Sequence, residues 1–140
     1  MVVKILTRMS GNYLLDTNIV IGIFANESAI VEKIKLYSAS LYIPSIVIGE
    51  LFYGAEQSSK KEENRQKIDA FALVSLVVEC DIATARFYGK IKSQLKLKGT
   101  PIPENDIWIA ALAMQHQLIL ATRDKHFNTI EMLSIEDWRH

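Results

Sequence analysis

Short apolar runs that stop at polar residues alternate along this chain with longer segments of helical period. Four runs are clear, at residues 13–15, 41–43, 76–78 and 118–120, and a weaker fifth lies at 132–133. Short runs that are apolar on both faces are typical of strands in a parallel sheet covered by helices. The alternation therefore predicts an α/β fold.

Helical period fills most of the intervening sequence. We predict helices over residues 19–24, 27–37, 45–57, 60–74, 82–98 and 104–116. Ser45 and Asp81 are suitable N-cap residues for two of these helices. Gly99 is well placed to end the helix over 82–98.

The composition fits a single domain with its own core. The chain has 140 residues, 49% of them hydrophobic, and its 16 basic and 16 acidic residues balance. We expect residues 12–140 to form one domain and residues 1–11 to be an N-terminal extension. Cys80 is the one cysteine, so no internal disulfide can form. No secretion signal is evident, and no apolar stretch approaches the roughly 20 residues that span a bilayer. We therefore expect a cytoplasmic protein with no membrane partner.

Four acidic residues lie near the ends of predicted strands or within the helices beside them: Asp16, Glu50, Asp106 and Asp124. Because ligands bind beyond the carboxyl ends of the strands in such sheets, the four side chains could converge on one edge. Carboxylates so close would raise one another's pKa, and a hard divalent cation would remove that cost. All-oxygen ligands suit Mg²⁺ or Mn²⁺, and such a site serves phosphoryl transfer.

Each acid also has an ordinary structural interpretation. Asp16 could cap a helix, Asp106 could favour a helix dipole, and Asp124 could be a turn residue. Glu50 is harder to explain in this way, because it lies in an apolar stretch and would need a partner if buried. His126 could be a general base, but we interpret it as a packing residue because a metal-bound water would already provide the nucleophile. The histidines and Cys80 have no metal-ligand spacing, which disfavours zinc. Taken singly, the four acids do not identify a function.

Four sequence motifs resemble those of PIN-domain nucleases, and their order and spacing resemble VapC-type toxins of type II toxin–antitoxin systems. The motifs are LLDTN at 14–18, SIVIGEL at 45–51, ENDIWIAA at 104–111 and TRD at 122–124. The resemblance covers residues 13–137. It implies a three-layer, PIN-like fold in which helices flank a parallel sheet of four or five strands.

The same resemblance implies a metal-dependent endoribonuclease that cleaves single-stranded regions of RNA, such as tRNA or mRNA, with Mg²⁺ or Mn²⁺ as cofactor. It also implies a homodimer and a small antitoxin partner encoded beside the toxin. Asp16 and Asp106 would be the principal metal ligands, and Glu50 and Asp124 would complete the cluster. The residues that would orient these carboxylates by hydrogen bonding are Asn18, Ser45 and Thr122.

A basic segment precedes the motif that carries Asp106. Between residues 82 and 103 there is no acid, and the basic residues are Arg86, Lys90, Lys92, Lys96 and Lys98. On a helix, the first two form one i,i+4 pair, and Lys92 and Lys96 form another. The segment could be a solvated helix face, or it could bind RNA phosphates and offset the repulsion of the acidic cluster. Given the nuclease interpretation, we favour RNA binding.

Other functions are compatible with these residues. A housekeeping PIN nuclease that processes RNA, or one that cuts DNA, would have the same motifs. A non-catalytic RNA- or protein-binding module is disfavoured because all four acids are present. A phosphatase of the aspartyl-phosphate kind would need a second Asp two residues after Asp16, where Asn18 stands.

Overall fold

In the computed structural model of the protein, which describes residues 12–37 and 41–139, five parallel strands form a sheet. The strands are β1 (Tyr13–Leu15), β2 (Leu41–Pro44), β3 (Leu76–Val78), β4 (Ile119–Thr122) and β5 (Ile135–Asp137). Their order across the sheet is β3-β2-β1-β4-β5, and each neighbouring pair is parallel. The predicted N-terminal extension over residues 1–11 lies outside the described residues.

Six α-helices connect and cover these strands in the described part of the chain. They are α1 (Thr17–Phe24), α2 (Ser28–Leu36), α3 (Ser45–Glu56), α4 (Lys61–Leu73), α5 (Ile82–Lys98) and α6 (Glu104–Gln115). A short 3₁₀ helix, Lys125–Thr129, follows β4. The predicted α/β fold with a parallel sheet is therefore confirmed. Among the described helices, none has the length and apolar character to cross a membrane.

The central strand β1 lies between β2 and β4. Its Leu14 pairs with Tyr42 on one side and with Leu120 on the other. The backbone N–H of Asp16 donates to the carbonyl of Ala121 at 3.0 Å, so pairing with β4 continues past the end of β1. The carboxyl ends of β1 and β4 are therefore adjacent, at the edge where ligands bind in sheets of this kind.

Helix α6 is the most deeply buried helix of the described chain. Ile107 and residues 109–113 are buried, because the helix is apolar on nearly every side. It packs against α5, α3 and β4. Its polar first turn, which contains Glu104 and Asp106, is only partly covered.

The last strand is where the sequence prediction was wrong. The prediction put a strand at 132–133, but Met132 has a φ of +68° and is 90% exposed, so the chain turns there. β5 is an edge strand, and two of its three residues are Glu136 and Asp137. It therefore lacks the apolar run expected of a buried strand. Glu136 accepts hydrogen bonds from the Tyr13 hydroxyl at 2.9 Å and from the Trp138 indole N–H at 3.0 Å.

The predicted ends of α5 are confirmed, whereas the predicted cap of α3 is not. The Asp81 side chain accepts from the backbone N–H of Thr84 at 3.0 Å, and the Thr84 hydroxyl accepts from the backbone N–H of Asp81 at 2.9 Å. Gly99 ends α5 with a φ of +69°, a conformation that glycine adopts without strain. Ser45 is the first residue of α3, and Pro44 occupies the N-cap position.

Candidate active site

Asp16 directly follows β1, caps α1, and is the most buried of the four predicted acids. It is 4% exposed. Its Oδ1 accepts a hydrogen bond from the backbone N–H of Thr17 at 2.8 Å, and its Oδ2 accepts one from the Thr122 hydroxyl at 2.8 Å. Burial raises the pKa of Asp16, and the two hydrogen bonds lower it by a smaller amount. The charges of Glu50 and Asp124 raise the pKa further. The capping role and the site role therefore fall on the same carboxylate.

Thr122 joins two of the acids. Its hydroxyl donates to Asp16 and also accepts from the backbone N–H of Asp124 at 2.9 Å. Next to it, the side-chain oxygen of Asn18 accepts from the backbone N–H of Arg123 at 3.2 Å. The turn that carries Asp124 is thus tied to the first turn of α1. Asn18 acts on the backbone beside an acid and not on a carboxylate.

Asp106 lies in the first turn of α6, with its side chain 16% exposed. Burial, together with the charges of Asp16, Asp124 and Glu50, raises the pKa of Asp106 to about 6, while His126 opposes the rise. Three carboxylates from three other segments of the chain therefore act on this one side chain. The predicted convergence of the four acids is present in the structure.

Glu50 lies in α3 and is half-buried. In the described residues its nearest polar partner is the side-chain amide of Asn105, with 3.5 Å between Nδ2 and Oε1. No described cation pairs with Glu50, so it is not part of a core ion pair. Its charge instead acts on Asp16 and Asp106, whose pKa values it raises. Ser45 lies one turn earlier in the same helix. Within the described chain no hydrogen bond joins its hydroxyl to any of the four acids.

His126 lies beside the acids, and the prediction that it is a packing residue was wrong. Its Nδ1 is 3.0 Å from Oδ1 of Asp124 and 3.8 Å from Oδ2 of Asp106, and its side chain is 57% exposed. One potential ligand atom from each of these three residues lies within 4.8 Å of the others. The sequence signal was the Asp-x-His spacing at 124–126, which the 3₁₀ helix turns into a spatial pair.

Arg123 is a cation next to the cluster, but its charge is engaged elsewhere. Its guanidinium forms an ion pair with Glu27, in the connection between α1 and α2. A Cβ on Gly22 would lie 2.9 Å from Nη2 of Arg123, so the absence of a side chain there lets the guanidinium pass. Because Glu27 neutralises Arg123, the four acids keep their net negative charge.

The donor set fits a hard divalent cation. Four carboxylates lie close enough to act on one another's charge, and His126 is the one potential cation found in contact with Asp106 and Asp124 in the described residues. Carboxylate oxygens are the ligands that Mg²⁺ and Mn²⁺ prefer. A bound ion would remove the repulsion that raises the pKa of Asp106.

The five basic residues of α5 are all exposed, but they do not form one stripe. At about 100° per residue, Arg86 and Lys90 lie on the side of α5 opposite Tyr88, which stacks on Trp108 of α6. Lys92 and Lys96 border α6. Two of the four lysines carry acidic partners: Lys92 pairs with Glu104 at 2.6 Å, and Lys98 pairs with Glu131 at 3.0 Å.

Known proteins resemble this chain along nearly its whole length. The sequence profile of the PIN domain family matches residues 13–132. Ribonuclease VapC2 of Rickettsia felis is 34% identical over 130 residues, which cover 90% of this chain and 97% of that protein. The tRNA(fMet)-specific endonuclease VapC of Shigella flexneri is 35% identical over 128 residues, with the same two coverages.

A solved complex has the same fold. The crystal structure of VapBC2 from Rickettsia felis, bound to a DNA fragment from its promoter, contains a chain that superposes with a TM-score of 0.83. The two sequences are 32% identical, and the match covers 90% of this chain and 98% of that one. The likeness therefore includes the arrangement of the main elements over 90% of this chain.

Proposed function

The chain belongs to the PIN domain family, and from that premise we propose that it is a VapC-type endoribonuclease, the toxin of a toxin–antitoxin pair. The observation that carries the proposal is the acidic cluster of Asp16, Glu50, Asp106 and Asp124, in which burial and the charges of the other three acids raise the pKa of Asp106. The reaction is hydrolysis of phosphodiester bonds in RNA. A location in the cytoplasm is part of the proposal, because both the RNA and the antitoxin are made there.

The finer part of the proposal is a requirement for Mg²⁺ or Mn²⁺. Asp16 and Asp106 would be the principal ligands, and Glu50 and Asp124 would complete the set directly or through water. When bound, such an ion activates an attacking water and offsets the charge on the phosphate. The support is the donor chemistry, since four converging carboxylates without a cation repel both one another and a phosphate.

The other residues of the site position these carboxylates. Thr122 fixes the orientation of Asp16 by its hydrogen bond to Oδ2 and holds the backbone of Asp124. Asn18 holds the same turn through Arg123. These hydrogen bonds hold the carboxylate oxygens in place before a ligand binds. A site organised in this way lowers a reaction barrier, because its groups need not reorient during the reaction.

RNA is the substrate class, and tRNA is the first substrate to test. The support for tRNA is that the relative in Shigella flexneri is named for tRNA(fMet). Lys92 and Lys96 are the best placed of the basic residues to hold phosphates, because they border α6, whose first turn carries Asp106. Arg86, Lys90 and Lys98 are secondary members of the proposed RNA surface.

A groove beside the acids is a candidate binding site for the antitoxin. This groove of about 600 Å³ runs between α1, α3 and α4, and Glu50 lies at its edge. Its apolar wall is formed by Ile21, Phe24, Leu51, Ala55 and Ile68. Of these, Ile21 is 52% exposed and Phe24 is 42% exposed, although both are large and apolar. An apolar antitoxin segment laid in this groove would bury them and would lie next to the catalytic cluster.

A housekeeping PIN nuclease acting on RNA or DNA is the alternative that the same site would serve. A non-catalytic binding module fits less well, because the repulsion among four intact acids lowers stability with no benefit to a binding surface.

A homodimer stays a prediction. Gel filtration with light scattering would test it, and exposed Leu73 and Val74 beside the edge strand β3 are candidate contact residues.

The proposal is tested with the purified chain, labelled tRNA, a single-stranded RNA and a DNA of the same sequence. We expect Mg²⁺ or Mn²⁺ to support cleavage of RNA but not of DNA, EDTA to abolish it, and Asp106→Asn to be inactive. The matched control is Asp69→Asn, which removes an exposed acid of α4 and should leave cleavage unchanged. Cleavage that persists in EDTA, or in Asp106→Asn, would overturn the metal site. Preference for DNA would favour the alternative function.

A further inference from the structure

His126 is held next to the acidic cluster by its own backbone. Its N–H donates to Oδ1 of Asp124 at 2.9 Å, and its carbonyl accepts from the Thr129 hydroxyl at 2.9 Å. These bonds fix the position of the residue in the 3₁₀ helix. Its side chain is 57% exposed, so packing does not explain why the ring lies against two carboxylates.

The spacing of the three side chains suits ligands of one ion. Nδ1 of His126 is 3.0 Å from an oxygen of Asp124 and 3.8 Å from an oxygen of Asp106. Adjacent ligands of an octahedral ion with bonds of about 2.0–2.1 Å lie about 3 Å apart. The distance from Nδ1 to Asp124 matches this value, whereas the distance to Asp106 is longer and must shorten by side-chain rotation. One nitrogen and two oxygens, all within 4.8 Å of one another, are therefore within reach of a single ion.

We propose that His126 supplies a nitrogen ligand to the ion held by Asp106 and Asp124, so that this site prefers a first-row transition ion such as Mn²⁺ to Mg²⁺. The proposal rests on the function proposed above, because it concerns the same metal site. Both ions bind carboxylate oxygens, but Mg²⁺ keeps to oxygen ligands and retained waters, whereas a first-row transition ion such as Mn²⁺ also accepts an imidazole nitrogen. A nitrogen ligand should thus strengthen binding of Mn²⁺ and leave binding of Mg²⁺ nearly unchanged.

Titration calorimetry of the full chain with MgCl₂ and with MnCl₂ gives the first test. Loss of a ligand should cost at least about tenfold in affinity, the lower end of what loss of a supporting residue costs at metal sites. We expect His126→Ala to lose that factor for Mn²⁺ and little for Mg²⁺. The matched control is His116→Ala, which removes an exposed histidine at the far end of α6 and should change neither affinity.

Electron paramagnetic resonance of bound Mn²⁺ gives a second test that does not depend on catalysis. A coordinated imidazole produces coupling to ¹⁴N, which we expect in the wild-type protein and in His116→Ala but not in His126→Ala. Bound Mn²⁺ without ¹⁴N coupling, or an unchanged ratio of Mn²⁺ to Mg²⁺ affinity in His126→Ala, would overturn this proposal alone. Failure of the wild-type protein to bind either ion would overturn the metal-dependent function as well.

Discussion

The hydroxyl of Thr122 donates to the carboxylate of Asp16 at 2.8 Å, although the two residues are 106 positions apart in the sequence. Both are almost fully buried. The same hydroxyl accepts from the backbone N–H of Asp124. One small side chain at the end of β4 therefore organises two acids, one at the end of the neighbouring strand and one in the turn that follows.

Thr122→Val should remove this link and keep the shape of the side chain. Asp16 would lose a donor, and the N–H of Asp124 would lose its acceptor. Leaving a buried polar group unpaired costs about 1–3 kcal/mol, so we expect the free energy of unfolding to fall by that amount. The cleavage rate should fall far more than stability does, because Asp16 is no longer oriented. Thr122→Ser, which keeps the hydroxyl, should retain most of both. Denaturant unfolding and RNA cleavage on the two variants make the comparison, and equal activity would refute the role of Thr122.

The fold was largely predictable because four of its five strands are short apolar runs. The convergence of the acids followed from the same prediction, since Asp16 and Asp124 come after strands that are parallel neighbours. β5 was missed because two of its three residues, Glu136 and Asp137, are acidic, so it has no apolar run to mark it as a strand. β3 is also an edge strand, but it is an apolar run and was predicted, so the acidic composition of β5 and not its edge position is what concealed it.

Contacts between distant side chains were not predictable. The proximity of His126 to Asp106 depends on how the 3₁₀ helix after β4 meets the first turn of α6. The pairing of Lys92 with Glu104 and of Lys98 with Glu131 likewise depends on how α5 packs. Helical spacing gives the direction of a side chain around its own helix, but it carries no information about the partner that the neighbouring element presents.

The pKa of Asp106 predicts how stability depends on pH without metal. That pKa is raised to about 6 from 3.8, so the folded protein holds this proton more tightly than the unfolded chain does. Asp106 therefore contributes stability below about pH 4, and that contribution is lost as the pH rises through about 6. The shift corresponds to at most about 3 kcal/mol.

Asp106→Asn should remove this dependence. In EDTA, we expect the variant to become increasingly more stable than the wild type between pH 4 and pH 7. Saturating Mg²⁺ or Mn²⁺ at pH 7 should stabilise the wild type and reduce or reverse the difference. Urea unfolding of the two proteins across this pH range measures the effect. A difference that stays constant from pH 4 to pH 7 would mean that Asp106 is not in a strained acidic cluster.

Glu50→Gln distinguishes a site role for this acid from a structural one. Glu50 is half-buried, and its one described polar partner is the amide of Asn105, so no cation would be orphaned by the change. We expect a folded, inactive protein whose free energy of unfolding changes by less than about 1 kcal/mol. Loss of about 3–5 kcal/mol would instead indicate a broken buried ion pair. Glu56→Gln, in the same helix but paired with Arg65 at the surface, should remain active.

The two basic pairs of α5 give opposite expectations for RNA binding. Lys92 and Lys96 border α6, and Lys92 reaches Glu104, two residues before Asp106. Arg86 and Lys90 have the same spacing and the same charge but lie on the far side of the helix. In a catalytically inactive Asp106→Asn background, we expect Lys92→Ala with Lys96→Ala to weaken RNA binding. The matched double variant of Arg86 and Lys90 should bind nearly as well as its parent.

The salt dependence of binding shows whether these lysines contact phosphates. Each phosphate contact releases counterions and adds about 0.7 to the slope of log affinity against log salt for a single strand. The Lys92 and Lys96 variant should therefore have a slope shallower by up to about 1.4, while folding is barely affected because exposed charges contribute little to stability. Affinities measured by fluorescence anisotropy across a salt series would give both quantities. Equal losses of RNA affinity in the two double variants would indicate that RNA is attracted by the total charge of α5 and not by a specific pair of residues. No loss in either would mean that α5 is a solvated face and that RNA reaches Asp106 from the other side of α6.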